Sequence, residues 1–142
     1  MHLLISYLII LTLLIAGQQL SEYGDLTVVI SGFNNDDGLM KIVLNNSSED
    51  YESQDDDYRR GQGSVKNNVA DVTFWNIPYG EYAIKVYHDA NNDDKLNKNF
   101  LGMPTEEYGF SNNARGSFGP PSWDDAKFMF NSAKDTLHIT IQ

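Results

Sequence analysis

The run VADVTFWNIPYGEYAIKVYHD, residues 69–89, decides the fold. Ala70, Val72 and Phe74 alternate with Asp71 and Thr73, and Tyr82, Ile84, Val86 and His88 alternate again after the break at Asn76–Gly80. A period of two places alternate side chains on opposite faces of a strand, so each half reads as a strand with one apolar face. Proline and glycine at the break remove a ladder donor and permit a sharp turn. The step Gly80-Glu81-Tyr82 is similar to the corner-forming tyrosines of immunoglobulin-like and transthyretin-like sandwiches, in which the phenol bonds back to the backbone.

Working outward, the same period recurs. Leu26, Val28 and Ile30 share a face, Asn34-Asn35-Asp36-Asp37-Gly38 turns the chain, and Met40, Ile42 and Leu44 follow around outward Lys41. This spacing predicts a hairpin between the first two strands. Ala126, Phe128 and Phe130 form one late strand, and Leu137, Ile139 and Ile141 another, with His138 outward. Asn45–Ser64 is almost free of apolar residues and rich in Asp and Glu, which predicts a solvated loop. The triplets at Asn45 and Asn46 have the glycosylation pattern, relevant only in a eukaryotic secretory route. Six or seven short strands without a helical period predict an all-β fold, a two-layer antiparallel β-sandwich of immunoglobulin-like or transthyretin-like type.

At the N-terminus, Leu3–Ala16 is apolar apart from Ser6 and Thr12. About 14 residues are too few to span a bilayer and fit the core of a signal peptide. The expected organisation is a signal peptide over 1–19 and one sandwich domain over 20–142, with a long loop at 89–122. An exported protein follows: periplasmic, cell-surface or extracellular, without membrane insertion after cleavage, and monomeric. There is no cysteine, so neither disulfides nor a lipid-modified cysteine contribute. A formal net charge of −10, with no basic stripe, excludes nucleic acid as a partner.

The most distinctive chemistry begins at His88-Asp89. Asp89, Asn91 and Asp93 take alternate positions, Lys95 can offer a carbonyl, and Leu96 is an apolar plug. Calcium loops space oxygen donors in this way, because the ion takes six to eight hard oxygens. The match is partial: Asp94 stands where glycine is usual and Phe100 where a bidentate glutamate is usual. A closing oxygen would come from Asn97, Asn99, Glu106 or Glu107. Asp89, Asn91, Asp93, Lys95, Asn97 and Glu106 are therefore the candidate metal ligands, with calcium the candidate cofactor. The alternative is a polar turn whose Asx side chains cap their own backbone.

The string Tyr82-Ala83, His88-Asp89, Asn91, Asp93, Leu96, Asn99, Gly102, Pro104, Glu106 and Gly109-Phe110-Ser111 resembles the signature of a family of small exported bacterial proteins of unknown function. The resemblance runs from about Leu26 to Ile141 and includes Gly32, Gly38 and Pro120-Pro121-Ser122-Trp123. It implies a sandwich and export, but no activity, substrate or catalytic residue. Ala90 and Asn97 stand where that family tends to be acidic, which weakens the calcium case.

Catalysis has little support. Adjacent side chains on a strand face opposite ways, so His88 and Asp89 cannot form a dyad there, and His88 reads as a partly buried histidine bonded to a loop. Two histidines in the mature chain and no cysteine make a zinc site atypical. Ser111 has no strand-to-helix elbow to activate it. The expected function is a non-catalytic binding or accessory module with a protein, peptide or glycan ligand. Tyr79, Tyr87, Tyr108, Phe118 and Trp123 are its candidate contact aromatics. The competing expectation is a metal-dependent hydrolase using His88, Asp89 and Glu106.

Overall fold

A computed structural model describes residues 22–53 and 57–142. The apolar stretch expected to direct export lies outside the described residues, as do Asp55 and Asp56 of the acidic run. Among the described residues eight strands form: β1 (Tyr23–Ser31), β2 (Leu39–Asn45), β3 (Arg59–Ser64), β4 (Val69–Pro78), β5 (Gly80–Asp89), β6 (Tyr108–Phe110), β7 (Phe128–Phe130) and β8 (Lys134–Thr140). Short helices α1 (Ser48–Glu52) and α2 (Trp123–Ala126) lie between them, with a 3-10 turn at Ser111–Asn113.

The strands make two packed sheets, a β-sandwich. One runs β4-β1-β8 and the other β3-β2-β5-β6, with β7 pairing to the start of β5. Leu26, Val28, Ile30, Phe74 and Ile139 from the first sheet, with Ile141 just past β8, meet Met40, Ile42, Leu44, Ile84 and Val86 from the second, all buried. Each such side chain stabilises the fold by roughly 1.5–3 kcal/mol. Tyr82 is buried and donates its phenol hydrogen to the Pro78 carbonyl at 2.7 Å, the corner anticipated from its spacing.

Three expectations need correction. β1 and β2 are not a hairpin: β1 pairs with β4 and β8, and β2 with β3 and β5. The polar link between them crosses from one layer to the other, so both strands bury the same period without sharing a ladder. Gly38 serves that crossing at φ 63, in close approach to the backbone of Asp89 and Ala90, where a Cβ would clash.

Asn45–Ser64 is not simply a loop either. Ser47 caps α1 by accepting from the Asp50 N–H at 3.1 Å, and Tyr51 buries its ring. β3 then pairs with β2 through its backbone, and Gly61 and Gly63 bring it against Val72 and Asp71 of β4. Asn45 is fully buried, so the first glycosylation-type triplet has no accessible acceptor. Finally, Ala126 closes a helical turn rather than opening a strand, although it is buried as expected. The last strand, β8, lies parallel to β1, the one parallel pair among the described residues in otherwise antiparallel ladders.

Candidate functional site

β5 delivers His88 and Asp89 to one end of the sandwich, both fully buried. His88 packs edge-on against the Phe33 ring, with centroids 5.0 Å apart. Its Nε2 lies 2.6 Å from the Asp37 carbonyl oxygen and its Nδ1 2.8 Å from Glu107 Oε2. A carbonyl can only accept, so Nε2 carries the donor hydrogen. Glu107 also accepts from the Asn34 side-chain amide. Sequence reasoning placed His88 on the inward face and against a loop, and its partners are the 34–38 crossing and Glu107.

Asp89 turns the other way and organises the loop that follows. Its two oxygens accept from the N–H groups of Asp93 at 3.0 Å and Asp94 at 3.1 Å. Asn91 accepts from the Asp93 N–H at 3.3 Å, and the Lys95 N–H donates to Asp93 at 3.0 Å. Asn97 donates its amide to Asp93 at 2.9 Å. That bond, with help from Asn91 and the Lys95 N–H, holds the Asp93 carboxyl below the usual carboxylate range. Glu106 reaches back to accept from the N–H groups of Ala90 at 3.1 Å and Asn97 at 2.9 Å. Asn92 and Asp94 take left-handed backbone angles, which Asn and Asp tolerate.

The loop thus brings Asp89, Asn91, Asp93, Lys95, Asn97 and Glu106 together as one hydrogen-bonded knot. Most of their oxygens face backbone N–H groups and amides. Asn97 Oδ1 is the exception, buried without a partner among the described residues. Among the described residues, no three His, Asp or Glu side chains converge as a group able to hold a metal ion. Lys41 reaches the knot from β2, 2.5 Å from Asp94 and 3.9 Å from Asp89.

Beyond the knot, residues 98–104 form a small hairpin closed by the Lys98–Pro104 bridge. Asn99 accepts from the N–H groups of Leu101 and Met103, which fixes the tip. Phe100 is 95 % exposed there. This hairpin and the Gly119-Pro120 segment wall a cleft of about 200 Å³ floored by Leu96, Tyr108 and Phe110. The cleft shares those residues with a groove of about 550 Å³ on the outer face of β2, β5 and β6. Tyr51, Lys85, Tyr87 and Pro121 continue its lining.

Lys85 is a half-buried cation in the groove's lining. Its Nζ lies 4.7 Å from the centre of the Tyr51 ring and donates to the carbonyls of Tyr51 and Ser53. Burial lowers its pKa, opposed by Asp57. Tyr51 in turn donates to the Pro121 carbonyl at 3.1 Å, and burial pushes its phenol up to about 12. Of the five aromatics singled out from sequence, Tyr87 and Tyr108 line the groove. Trp123 packs on Tyr51 and Tyr79 on Phe130, while Phe118 stands in solvent beside the cleft. Tyr51 and Lys85 were not anticipated. An outward lysine between two tyrosine-bearing positions of β5 was the available signal.

Two packed sheets, a hydrogen-bonded loop and a groove on one outer face define a small β-sandwich protein. Residues 28–138 match a family described as an uncharacterized protein conserved in bacteria (DUF2141), and the chain belongs to it. No curated protein and no solved structure matches the chain.

Proposed function

We propose that the protein is an exported, non-catalytic binding module that takes its ligand in the groove over β2, β5 and β6. The groove itself carries this reading: its volume of about 550 Å³ lies in the range of ligand sites, and its lining sets tyrosine, leucine, phenylalanine and proline beside a few polar groups, Lys85, Glu52 and Asp57. Export rests on the apolar stretch Leu3–Ala16. The hydrolase reading has less support. His88 is sealed from solvent with both nitrogens engaged, and Glu106 bonds backbone N–H groups rather than facing His88.

The test uses a neutral apolar dye, Nile red. Its fluorescence is expected to rise with saturable binding to the folded protein and to fall sharply in Tyr108→Ala, while Trp75→Ser, on the other sheet, leaves it unchanged. Dye binding that is absent, or indifferent to Tyr108→Ala, overturns the assignment of the groove.

Calcium in the loop is a second reading, and one observation favours it: Asn97 Oδ1 is a buried acceptor without a partner among the described residues, next to Asp93. The ion would draw on Asp89, Asn91, Asp93, Asn97 and Glu106, and it would compete with the N–H groups those side chains now accept. If it binds, adding calcium to chelated protein raises the melting temperature, by about 2.7 kcal/mol of stabilisation at a hundredfold excess over Kd. Asp93→Ala should then abolish the gain. An unchanged melting temperature leaves the loop to its own hydrogen bonds.

A further inference from the structure

We propose that the tip of the 98–104 hairpin seats the protein on a membrane by dipping into the headgroup boundary of a lipid bilayer. Its side chains are the first reason. Phe100, 95 % exposed, is followed by Leu101 at 69 % and Met103 at 60 %. Phe118, fully exposed, adjoins Gly119 on the opposite wall of the cleft that Gly102 and Pro104 line. No residue from Asn99 to Pro104 carries a charge. Neighbouring apolar side chains held out of the fold in this way mark a contact surface.

The backbone decides what that surface meets. The Asn99 side chain accepts from the N–H groups of Leu101 at 2.9 Å and Met103 at 3.1 Å, and its carbonyl accepts from Gly102 N–H at 2.9 Å. The Asn99 N–H donates in turn to the Met103 carbonyl at 2.8 Å, and Pro104 has no N–H. The donors of Asn99, Leu101, Gly102 and Met103 are thus spent inside the hairpin. A hydrocarbon phase demands this, because an N–H that enters it without a partner is strongly penalised. A protein partner would find almost no donor left to bond. The groove of a second copy fits worse still: its polar lining, Glu52 and Lys85 included, would be covered by side chains that offer no hydrogen bond.

The carboxylates beside the tip are committed to donors of the protein. Glu106 accepts from Ala90 and Asn97, Glu107 lies on His88, Asp94 on Lys41, and Asp93 accepts from Asn97. Lys98, exposed at the foot of the hairpin, has an apolar stem long enough to leave its ammonium at the level of the lipid phosphates. Each arm holds three residues, 98–100 and 102–104, and at about 3.3 Å per residue reaches about 10 Å. That depth suits the headgroup boundary and falls well short of a hydrocarbon core about 30 Å thick, so the contact is a peripheral one. The overall charge of −10 disfavours anionic lipid, which leaves apolar insertion into a surface without net charge.

The experiment places a reporter at the tip. Phe100→Trp is combined with Trp75→Phe, which removes the exposed native indole, and the full chain is titrated with phosphatidylcholine vesicles. The indole of Phe100→Trp is expected to shift its emission to the blue and to be quenched by phosphatidylcholine brominated on its acyl chains. The chain carrying Trp75→Phe alone should show neither change. Because the reporter sits on the hairpin, quenching reads the tip even if the apolar stretch Leu3–Ala16 also meets the vesicle. Adding Leu101→Ser and Met103→Ser should raise the lipid needed for half-maximal quenching about tenfold or more. Both positions are exposed, so urea unfolding should be unchanged. An unquenched reporter, or equal quenching in the serine variant, would overturn the proposal. A blue shift that grows with protein concentration in the absence of lipid would overturn it as well, by assigning the tip to a second copy.

Discussion

Replacing His88 with alanine is expected to remove about 3–5 kcal/mol of folding stability, the usual cost of deleting one member of a buried polar pair. The imidazole ties three segments: β5, which carries it, the 34–38 crossing through the Asp37 carbonyl, and the loop end through Glu107. Deleting the ring leaves the Asp37 carbonyl without its donor. It also leaves the Glu107 side chain, 13 % exposed, with only Asn34 against it. The Phe33 edge contact is lost as well, opening a cavity in the close-packed end of the core. Urea unfolding at constant m-value measures the loss. His138→Ala, on the exposed face of β8, should stay within about 0.5 kcal/mol and serves as the comparison. A cost for His88→Ala near that of His138→Ala would show that the three-way tie is not what holds this end closed. A double-mutant cycle with Glu107→Ala isolates the pair, with a coupling of about 0.5–3 kcal/mol expected for residues in direct contact.

Much of this end of the molecule was legible from sequence, because period-two alternation fixes which side chains face inward. His88 follows Ile84 and Val86 onto the core face, as that rule requires. What the rule does not encode is which strand lies next to which. Leu26 and Met40 carry equally good apolar faces, and only the length and path of the 32–38 link put β1 and β2 in different sheets.

β3 escaped notice for a related reason. Arg59, Arg60 and Gln62 bury nothing, so the strand exists through backbone pairing to β2 and through glycines that let β4 approach. α1 hangs on a single apolar anchor, Tyr51, too little for a helical period. The loop residues Asp89, Asp93 and Glu106 were found because their donors are local, within about one turn or one hairpin. The groove was not, since Tyr51, Lys85, Tyr108 and Pro120 meet only after the sheet and both helices are in place.

Ser111 shows how far a residue's chemistry depends on that assembly, and its removal is the second large effect expected. β5 is served on one edge by β7 at residues 80–82 and by β6 at residues 85–87. Between these two partners the Ile84 N–H faces no strand. Ser111, fully buried, fills the gap: its Oγ accepts from Ile84 N–H at 2.9 Å and donates to the Ala126 carbonyl at 2.5 Å. Ser111→Ala therefore strips a donor and an acceptor of their shared partner at once. At about 1–3 kcal/mol for each buried group left unpaired, the combined loss should reach about 2–6 kcal/mol.

Two measurements separate this from a generic small-residue effect. Hydrogen exchange at the Ile84 amide should quicken more than at Val86, which sits in the same strand under β6. Ser31→Ala, whose hydroxyl makes only an exposed 3.5 Å contact to Thr140, should cost less than about 0.5 kcal/mol. A Ser111→Ala protein as stable as the parent, with Ile84 still protected, would mean that another group reaches the gap. The hydroxyl would then be dispensable to the join between β6, β7 and α2 on which the groove is built.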